Sequence, residues 1–310
     1  MRSFQLLGQD TFRSIICGNI RAHHKSVFLH SSVDALLDSS SVEFYGIFEG
    51  ANLASFACVS PRLWNIDGNI VHGCSIGVVT TLLEYRNMGY ASLLIASIQD
   101  YMISKSNIEF VYLQGIHHFY SRLGFSGFAP KRKFIVDTVN VPHHEATIRS
   151  ARRDDLPKIV NLFENYSKCF ESYVMRDRHV WNDLLGPLKN SFLFFMPRIV
   201  EDSFGQPYGY FCTSPDDPRT IREFVPSARD QSVDIMLSVI SRTREFSKCS
   251  HLSIFAPFQG PVLDCTSKRI QADHHILLRP DSSNMFKWVA GYSQPSFDKL
   301  NLFIFQGDNL

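Results

Sequence analysis

The stretch that decides the fold runs from Ile76 to Ser104, IGVVTTLLEYRNMGYASLLIASIQDYMIS. It opens as an apolar strand, Ile76–Thr81, rich in β-branched residues. A short polar loop follows, carrying Arg86, Gly89 and Ala91 in an R-x-x-G-x-A spacing. Then comes an amphipathic helix whose Ala91, Leu94, Ile98 and Met102 form one apolar stripe. A strand that passes through small residues into a helix start is a phosphate-binding device. Its first-turn amides lack intrahelical acceptors, and the helix dipole favours an anion there. At Gly89 and Ala91 a larger side chain would keep a pyrophosphate from the backbone. An ordinary strand–turn–helix joint shows the same pattern, so the reading needs a second signal.

That signal lies about thirty residues on, after a second apolar strand at Phe110–Gln114. It is Phe119-Tyr120-Ser121-Arg122-Leu123-Gly124-Phe125. Together, V-x-T-x-x-x-Y-R-x-x-G-x-A and F-Y-x-x-L-G-F resemble the two central motifs of the GNAT (GCN5-related N-acetyltransferase) superfamily. The chain departs from the pattern at Leu83, where a proline often precedes the Tyr-Arg pair.

The resemblance implies an α/β fold built on a mixed α+β sheet, and an acyl-CoA co-substrate. The strand before the loop should splay from its neighbour. Backbone groups of Val79, Thr80 and Thr81 would then bond the pantetheine arm. Amides of Arg86, Asn87, Met88, Gly89, Tyr90 and Ala91 would hold the pyrophosphate. An amine attacks the thioester directly, with no metal and no covalent intermediate. A strand N–H from Val79–Thr81 meets the oxyanion. Tyr120 falls at the family's tyrosine that protonates the departing thiolate, and a phenol can donate that proton without carrying charge into an apolar cleft.

The general base is not fixed by the resemblance. Some members carry a glutamate twelve positions before the loop arginine, where this chain has Cys74. His72 lies two residues earlier on the same strand face, and an imidazole is the side chain suited to base chemistry near neutral pH. It is named first, with His117 and His118 as the other candidates and a water chain as a further solution.

Composition narrows the classes. A net charge of +1 over 310 residues argues against a nucleic-acid partner held through phosphates. The 26 phenylalanines promise broad apolar cores or grooves. Seven cysteines, odd in number and without C-x-x-C spacing, read as small buried hydrophobes in a reducing compartment. No stretch is long enough for a membrane span, and MRSFQLLGQD turns polar too early for a secretory signal. A cytoplasmic protein is expected. The histidine pairs 23–24, 143–144 and 274–275 lack partners at metal-ligand spacing and read as loop residues. The pairs Asp154-Asp155 and Asp216-Asp217 read as cap and turn chemistry.

Two domains are expected. Residues 1–140 hold strand Arg2–Leu7, a helix capped by Asp10, a turn at Val33–Leu37, a hairpin of Val42–Phe48 and Leu53–Val59, and the long strand Asn69–Thr81. A linker at 141–145 leads to residues 146–310, whose opening phrase I-R-x-A-x-x-x-D-L resembles a GNAT start again. Its elements should repeat the first half, including a helix Arg176–Leu185 closed by Gly186 and Pro187, and another across Asp230–Phe246. The phosphate loop does not repeat. Ser227-Ala228-Arg229-Asp230-Gln231-Ser232 has no glycine, and an Asp230 cap would repel phosphate. The second half is therefore expected to be a degenerate copy that walls the acceptor cleft.

The expected function is an N-acyltransferase moving an acyl group, acetyl by default, from acyl-CoA to a primary amine. The acceptor is a small molecule or a lysine- or ornithine-type side chain of a peptide. The alternatives are a fatty-acyl transferase acting on such a side chain, and a non-catalytic acyl-CoA sensor.

Overall fold

The computed structural model describes residues 1–23, 37, 39–127, 132–137, 144–185, 197–213, 220–243, 251–256, 282–288 and 302–303. The turn expected at Val33–Leu37, the Asp216-Asp217 pair, Gly186-Pro187, His24, His143 and His274-His275 fall wholly or mostly outside them. β1 (Arg2–Leu6), β2 (Glu43–Glu49), β3 (Asn52–Ile66) and β4 (Asn69–Thr81) pair antiparallel in succession. β5 (Phe110–Ile116) then joins β4 in parallel. A parallel neighbour requires a crossover, and here it is α2 (Tyr90–Ser106). α1 (Gln9–His23) follows β1, so Asp10 sits inside its first turn and not at its cap.

The second sheet is built from β8 (Thr147–Ser150), β10 (Arg198–Glu201), β11 (Pro207–Thr213), β12 (Thr220–Pro226) and β13 (His251–Ala256). With β7 (Arg132–Asp137) at one edge its order is β8-β10-β11-β12-β13-β7, antiparallel throughout except for the parallel β12–β13 pair. α4 (Leu156–Ser167) and α6 (Ser232–Ser241) pack against it. The helix expected from Arg176 starts later. β9 (Ser172–Met175) precedes it and pairs with β3 of the first sheet, and α5 spans Arg178–Leu185.

Strands pass between the two halves, and β9 is one of them. β7 (Arg132–Asp137) belongs to the first half by sequence, yet pairs with β13 in the second sheet. β14 (Ser282–Trp288) comes from the far end of the chain, yet lies along the whole of β5 in the first. The short β6 (Ser126–Gly127) pairs on its outer side. The boundary expected at 141–145 divides the sequence and not the sheets. An unpaired strand edge takes whichever strand reaches it, irrespective of sequence distance.

Two apolar cores follow. One lies between the first sheet and α2, built from Tyr90, Leu94, Ile98 and Met102 against Cys74, Ile76, Val111 and Leu113. The other joins both halves, with Ile16, Ile20 and Phe56 of the first and Phe163, Phe211 and Met236 of the second. Across it runs a buried ion pair. Arg176, just after β9, donates to both carboxylate oxygens of Glu223 on β12 at 3.0 and 2.9 Å. Tyr210 donates to the same carboxylate at 2.6 Å. Among the described residues no helix is long and apolar enough to cross a membrane.

Candidate active site

β4 and β5 pair only from Gly73↔Phe110 to Ile76↔Leu113. Beyond that point β4 continues to Thr81 held by β3, and β5 continues to Ile116 held by β14. The two strands diverge into a wedge whose facing backbone edges have no strand partner among the described residues.

The divergence has a local cause. The β3–β4 register shifts between Phe56 and Cys58, and Val78 sits at φ +53°. A left-handed backbone at a β-branched residue costs about 1–3 kcal/mol and persists only when its surroundings enforce it. Here the bulge changes the facing of the strand. Cys74 and Ile76 point to the α2 side, but the next residue there is Val79, while Val78 turns toward the core between the sheets. Buried Ser55 braces the far side of the bulge, donating to Thr80 O at 2.9 Å and meeting Thr81 Oγ1 at 3.0 Å. Thr80 Oγ1 donates to Val78 O at 3.0 Å.

The loop after β4 makes a 3₁₀ turn at Leu83–Tyr85 and enters α2 through Gly89 at φ 82°, ψ 5°. Gly89 offers no side-chain cap, and the first turn of α2 carries no acidic residue. The amides there are left for an anion. A Cβ built on Gly89 would meet nothing within 4 Å, so the protein's own packing does not exclude a side chain. The left-handed backbone favours glycine, and the space before it is open. Tyr90 contributes only backbone to that space. Its side chain is buried, and its hydroxyl donates to Glu49 at the end of β2. Arg86 Nε donates to Thr81 O at 3.3 Å, tying the loop to the strand end. The exposed Leu83 and Met88 give the loop an apolar rim that the sequence reading did not single out.

Tyr120 lies on α3 (His117–Ser121), directly after β5. Its ring is buried between Phe119 and Phe125, with centroids 4.9 and 5.8 Å away. Burial pushes its phenol up to about 12, and its hydroxyl has no hydrogen-bond partner among the described residues. Such a group stays protonated at neutral pH and can donate.

His72 is placed elsewhere. It precedes the first β4–β5 pair, and its backbone bonds Glu109, the residue before β5. Tyr120 follows the other end of β5, on the order of 20 Å away at about 3.3 Å per residue. His72 borders a small hollow with Met175, Asp177 and Val180. Strand parity predicted its face but not its distance from the wedge, which opens only past Ile76. Cys74 is sealed in the α2-side core, and burial pushes its thiol up to about 12. His117 and His118 are exposed beside Tyr120, and Ser121 Oγ donates to His117 O at 2.7 Å.

The second sheet also contains a short parallel pair bridged by a helix. β12 and β13 pair at Thr220↔Ser253 and Ile221↔Ile254, and go no further. Gln231 caps α6 at φ 59°, ψ 8°, nearly the conformation of Gly89. The cap is therefore Gln231 and not Asp230, and α6 begins at Ser232. Its loop is latched by its own side chains. Ser227 Oγ meets Ser232 Oγ at 2.8 Å, and Ser232 Oγ donates to Arg229 O at 2.7 Å. The Arg229 guanidinium is held by Asp202 at 3.0 Å and by Gln206 O at 3.2 Å. Phe224–Pro226 are buried, whereas Gly77–Val79 are only half-buried. No group of three or more His, Cys, Asp and Glu residues placed to hold a metal ion occurs among the described residues.

The model of an acetyltransferase (GNAT) domain family matches residues 20–128. Among solved structures, a probable N-acyltransferase from Enterococcus faecalis is 16% identical with a TM-score of 0.67, over 93% of this chain and 73% of its own. A GCN5-related N-acetyltransferase from Anabaena variabilis is 14% identical at a TM-score of 0.66, with the same coverage of 93% and 73%. Another from Kribbella flavida is 15% identical at 0.65, covering 93% and 71%. At these identities the likeness is one of fold, and it extends over both halves of this chain. No curated protein matches the sequence.

Proposed function

We propose that the protein is a CoA-dependent N-acyltransferase that transfers an acyl group, acetyl by default, to a primary amine. One observation carries the reading. The open β4–β5 wedge leads directly into an uncapped helix start at Gly89 and has a buried phenol beside it, Tyr120, with no hydrogen-bond partner among the described residues. The pieces suit an elongated thioester with a pyrophosphate. Backbone groups of Val79, Thr80 and Thr81 offer strand-like bonds to an amide-bearing arm. The amides of Asn87, Met88, Gly89, Tyr90 and Ala91 are the seat for an anion, whereas the Arg86 N–H already donates to Leu83 O at 3.3 Å and leaves Arg86 only its guanidinium to offer. A strand N–H in the wedge stabilises the oxyanion, and Tyr120 delivers a proton to the departing thiolate as the C–S bond breaks, the proton lost by the attacking amine returning through water to the phenolate. Holding both reactants in one geometry supplies most of the remaining acceleration.

The base role read for His72 is not carried forward, because it stands at the closed end of the strand pair. We read the second sheet as a degenerate copy of the first that walls the acceptor side. Its matching parallel pair and left-handed helix cap support that reading, and its latched loop leaves no phosphate seat.

The test is calorimetric titration with free CoA, acetyl-CoA, octanoyl-CoA and palmitoyl-CoA, with Gly89→Asp as control. Binding of acetyl-CoA that Gly89→Asp abolishes, followed by CoA release with a panel of primary amines, is the expected result. Affinity rising with chain length would redirect the reading to fatty-acyl transfer onto peptide side chains. Binding without turnover on any amine would leave an acyl-CoA sensor. No binding at all would overturn the proposal.

A further inference from the structure

Gly115 lies in the part of β5 that forms one wall of the wedge, past the last β4–β5 pair at Leu113. Strand alternation puts it in one row with Val111 and Leu113, both buried on the α2 side. The next place in that row calls for an apolar side chain, and the chain has none. The ring of Tyr120 fills the notch. A Cβ built on Gly115 would fall 2.1 Å from Tyr120 Cε2 and 2.8 Å from Cδ2. Contacts that short are impossible, so any side chain at 115 must displace the ring.

The displacement would be specific. Phe119 and Phe125 hold the ring at 83° and 71° to their own planes, and Gly115 closes a third side. α3 is only five residues long and cannot fix a side chain by itself. Tyr120 O also accepts the N–H groups of Leu123 and Phe125, at 2.9 and 3.2 Å, which anchors the backbone but leaves χ1 free. The ring's angle into the wedge is thus decided by the missing Cβ.

We propose that Gly115 is the positioning residue for Tyr120: its bare Cα seats the phenol ring against the wedge wall. In its catalytic consequence this rests on the acyl-transfer reading above. In its structural content it does not, and the experiment separates the two. 3-Fluorotyrosine is placed at position 120 of the full chain, and its fluorine resonance is followed against pH with and without Gly115→Ala. In the native background its titration midpoint should lie well above that of free 3-fluorotyrosine. Gly115→Ala should move the resonance and bring the midpoint down toward the free amino acid. In the enzyme with ordinary tyrosine, Gly115→Ala should lower kcat for acetyl-CoA with the best amine of the panel about as far as Tyr120→Phe does. The double variant should lose no more than either single one. If Gly115→Ala does not fold, Phe125→Leu removes the opposite wall and should shift the same resonance the same way. An unmoved resonance and midpoint in the folded variant would overturn the proposal, as would losses that multiply in the double variant. Unchanged turnover in Tyr120→Phe would instead remove the proton-donor role from the proposed function, leaving the fluorine result to decide Gly115.

Discussion

Tyr120 and Asp155 show how one side chain's surroundings set its behaviour. The Tyr120 phenol is raised by burial alone, and among the described residues its hydroxyl has no hydrogen-bond partner. Tyr120→Phe should reduce kcat by about 10²-fold or more, within the usual range for a general acid, and leave acetyl-CoA affinity within two-fold. Steady-state kinetics beside calorimetry would check this, and an unchanged kcat would exclude the role. Asp155 is the opposite case. Arg149 donates to both of its carboxylate oxygens at 2.6 and 2.8 Å, and the Arg152 N–H adds a third bond at 2.7 Å. These contacts, led by Arg149, hold its carboxyl down at about 2. A depressed carboxylate stabilises the fold above its unfolded pKa, near 3.9, and that contribution disappears as pH falls toward the folded value. The stability gap between the native protein and Asp155→Asn should therefore be constant above about pH 4 and shrink between pH 4 and 2. Chemical denaturation at each pH would show it, and a gap unchanged down to pH 2 would contradict it. The sequence placed Asp154 or Asp155 as the cap of α4; Asp155 does stand at the cap position but bonds no helix amide, its carboxylate accepting instead from Arg152 N–H of the preceding 3₁₀ turn. The arginine clamp was not legible in the sequence, because Glu201 reaches Arg149 from a strand fifty-two residues away, at 2.8 Å.

At the scale of elements the site depends on a single bulge in β4. Nothing in V-x-T announces it. The residue at positive φ is Val78, where glycine or asparagine is the usual signal. What enforces it is the neighbouring strand, through Ser55. Ser55→Ala should cost about 1–2 kcal/mol from the lost buried hydrogen bonds and also weaken acetyl-CoA binding. Ser60 gives the matching control. It is buried on the same strand and donates to Ser41 O at 2.8 Å, but it lies opposite Ser75, outside the wedge. Ser60→Ala should lose comparable stability and bind acetyl-CoA normally. Equal binding losses in both variants would mean that the bulge does not shape the site.

At the scale of the molecule, the exchanged strands β7 and β14, the shared core and the Arg176–Glu223 pair bind the two sheets into one unit. Thermal unfolding should be a single transition with equal calorimetric and van't Hoff enthalpies. Two resolved endotherms would show that the sheets unfold separately. Arg176→Ala should lower stability by about 3–5 kcal/mol, since it strands a buried carboxylate, whereas replacing Arg176 with Met and Glu223 with Leu together should recover much of that loss. Denaturant midpoints of the two variants distinguish these outcomes.

The sequence by itself determined the local pieces: the apolar strand into Thr81, the small residues at 89 and 91, the α2 stripe and the tyrosine that follows β5. Each of these is a contiguous pattern whose physics is complete within one or two turns of chain. It also determined that the second loop lacks a glycine, although not that Gln231 would adopt the same left-handed cap without one. Only the tertiary structure decided where the strands part, and with it that His72 stands at the closed end. Only it decided that Gly115 makes room for Tyr120, and that each sheet takes in strands from the other half of the chain. Those features depend on edge hydrogen bonds and side-chain contacts between segments far apart in the chain, and no periodicity within one segment records its distant neighbour.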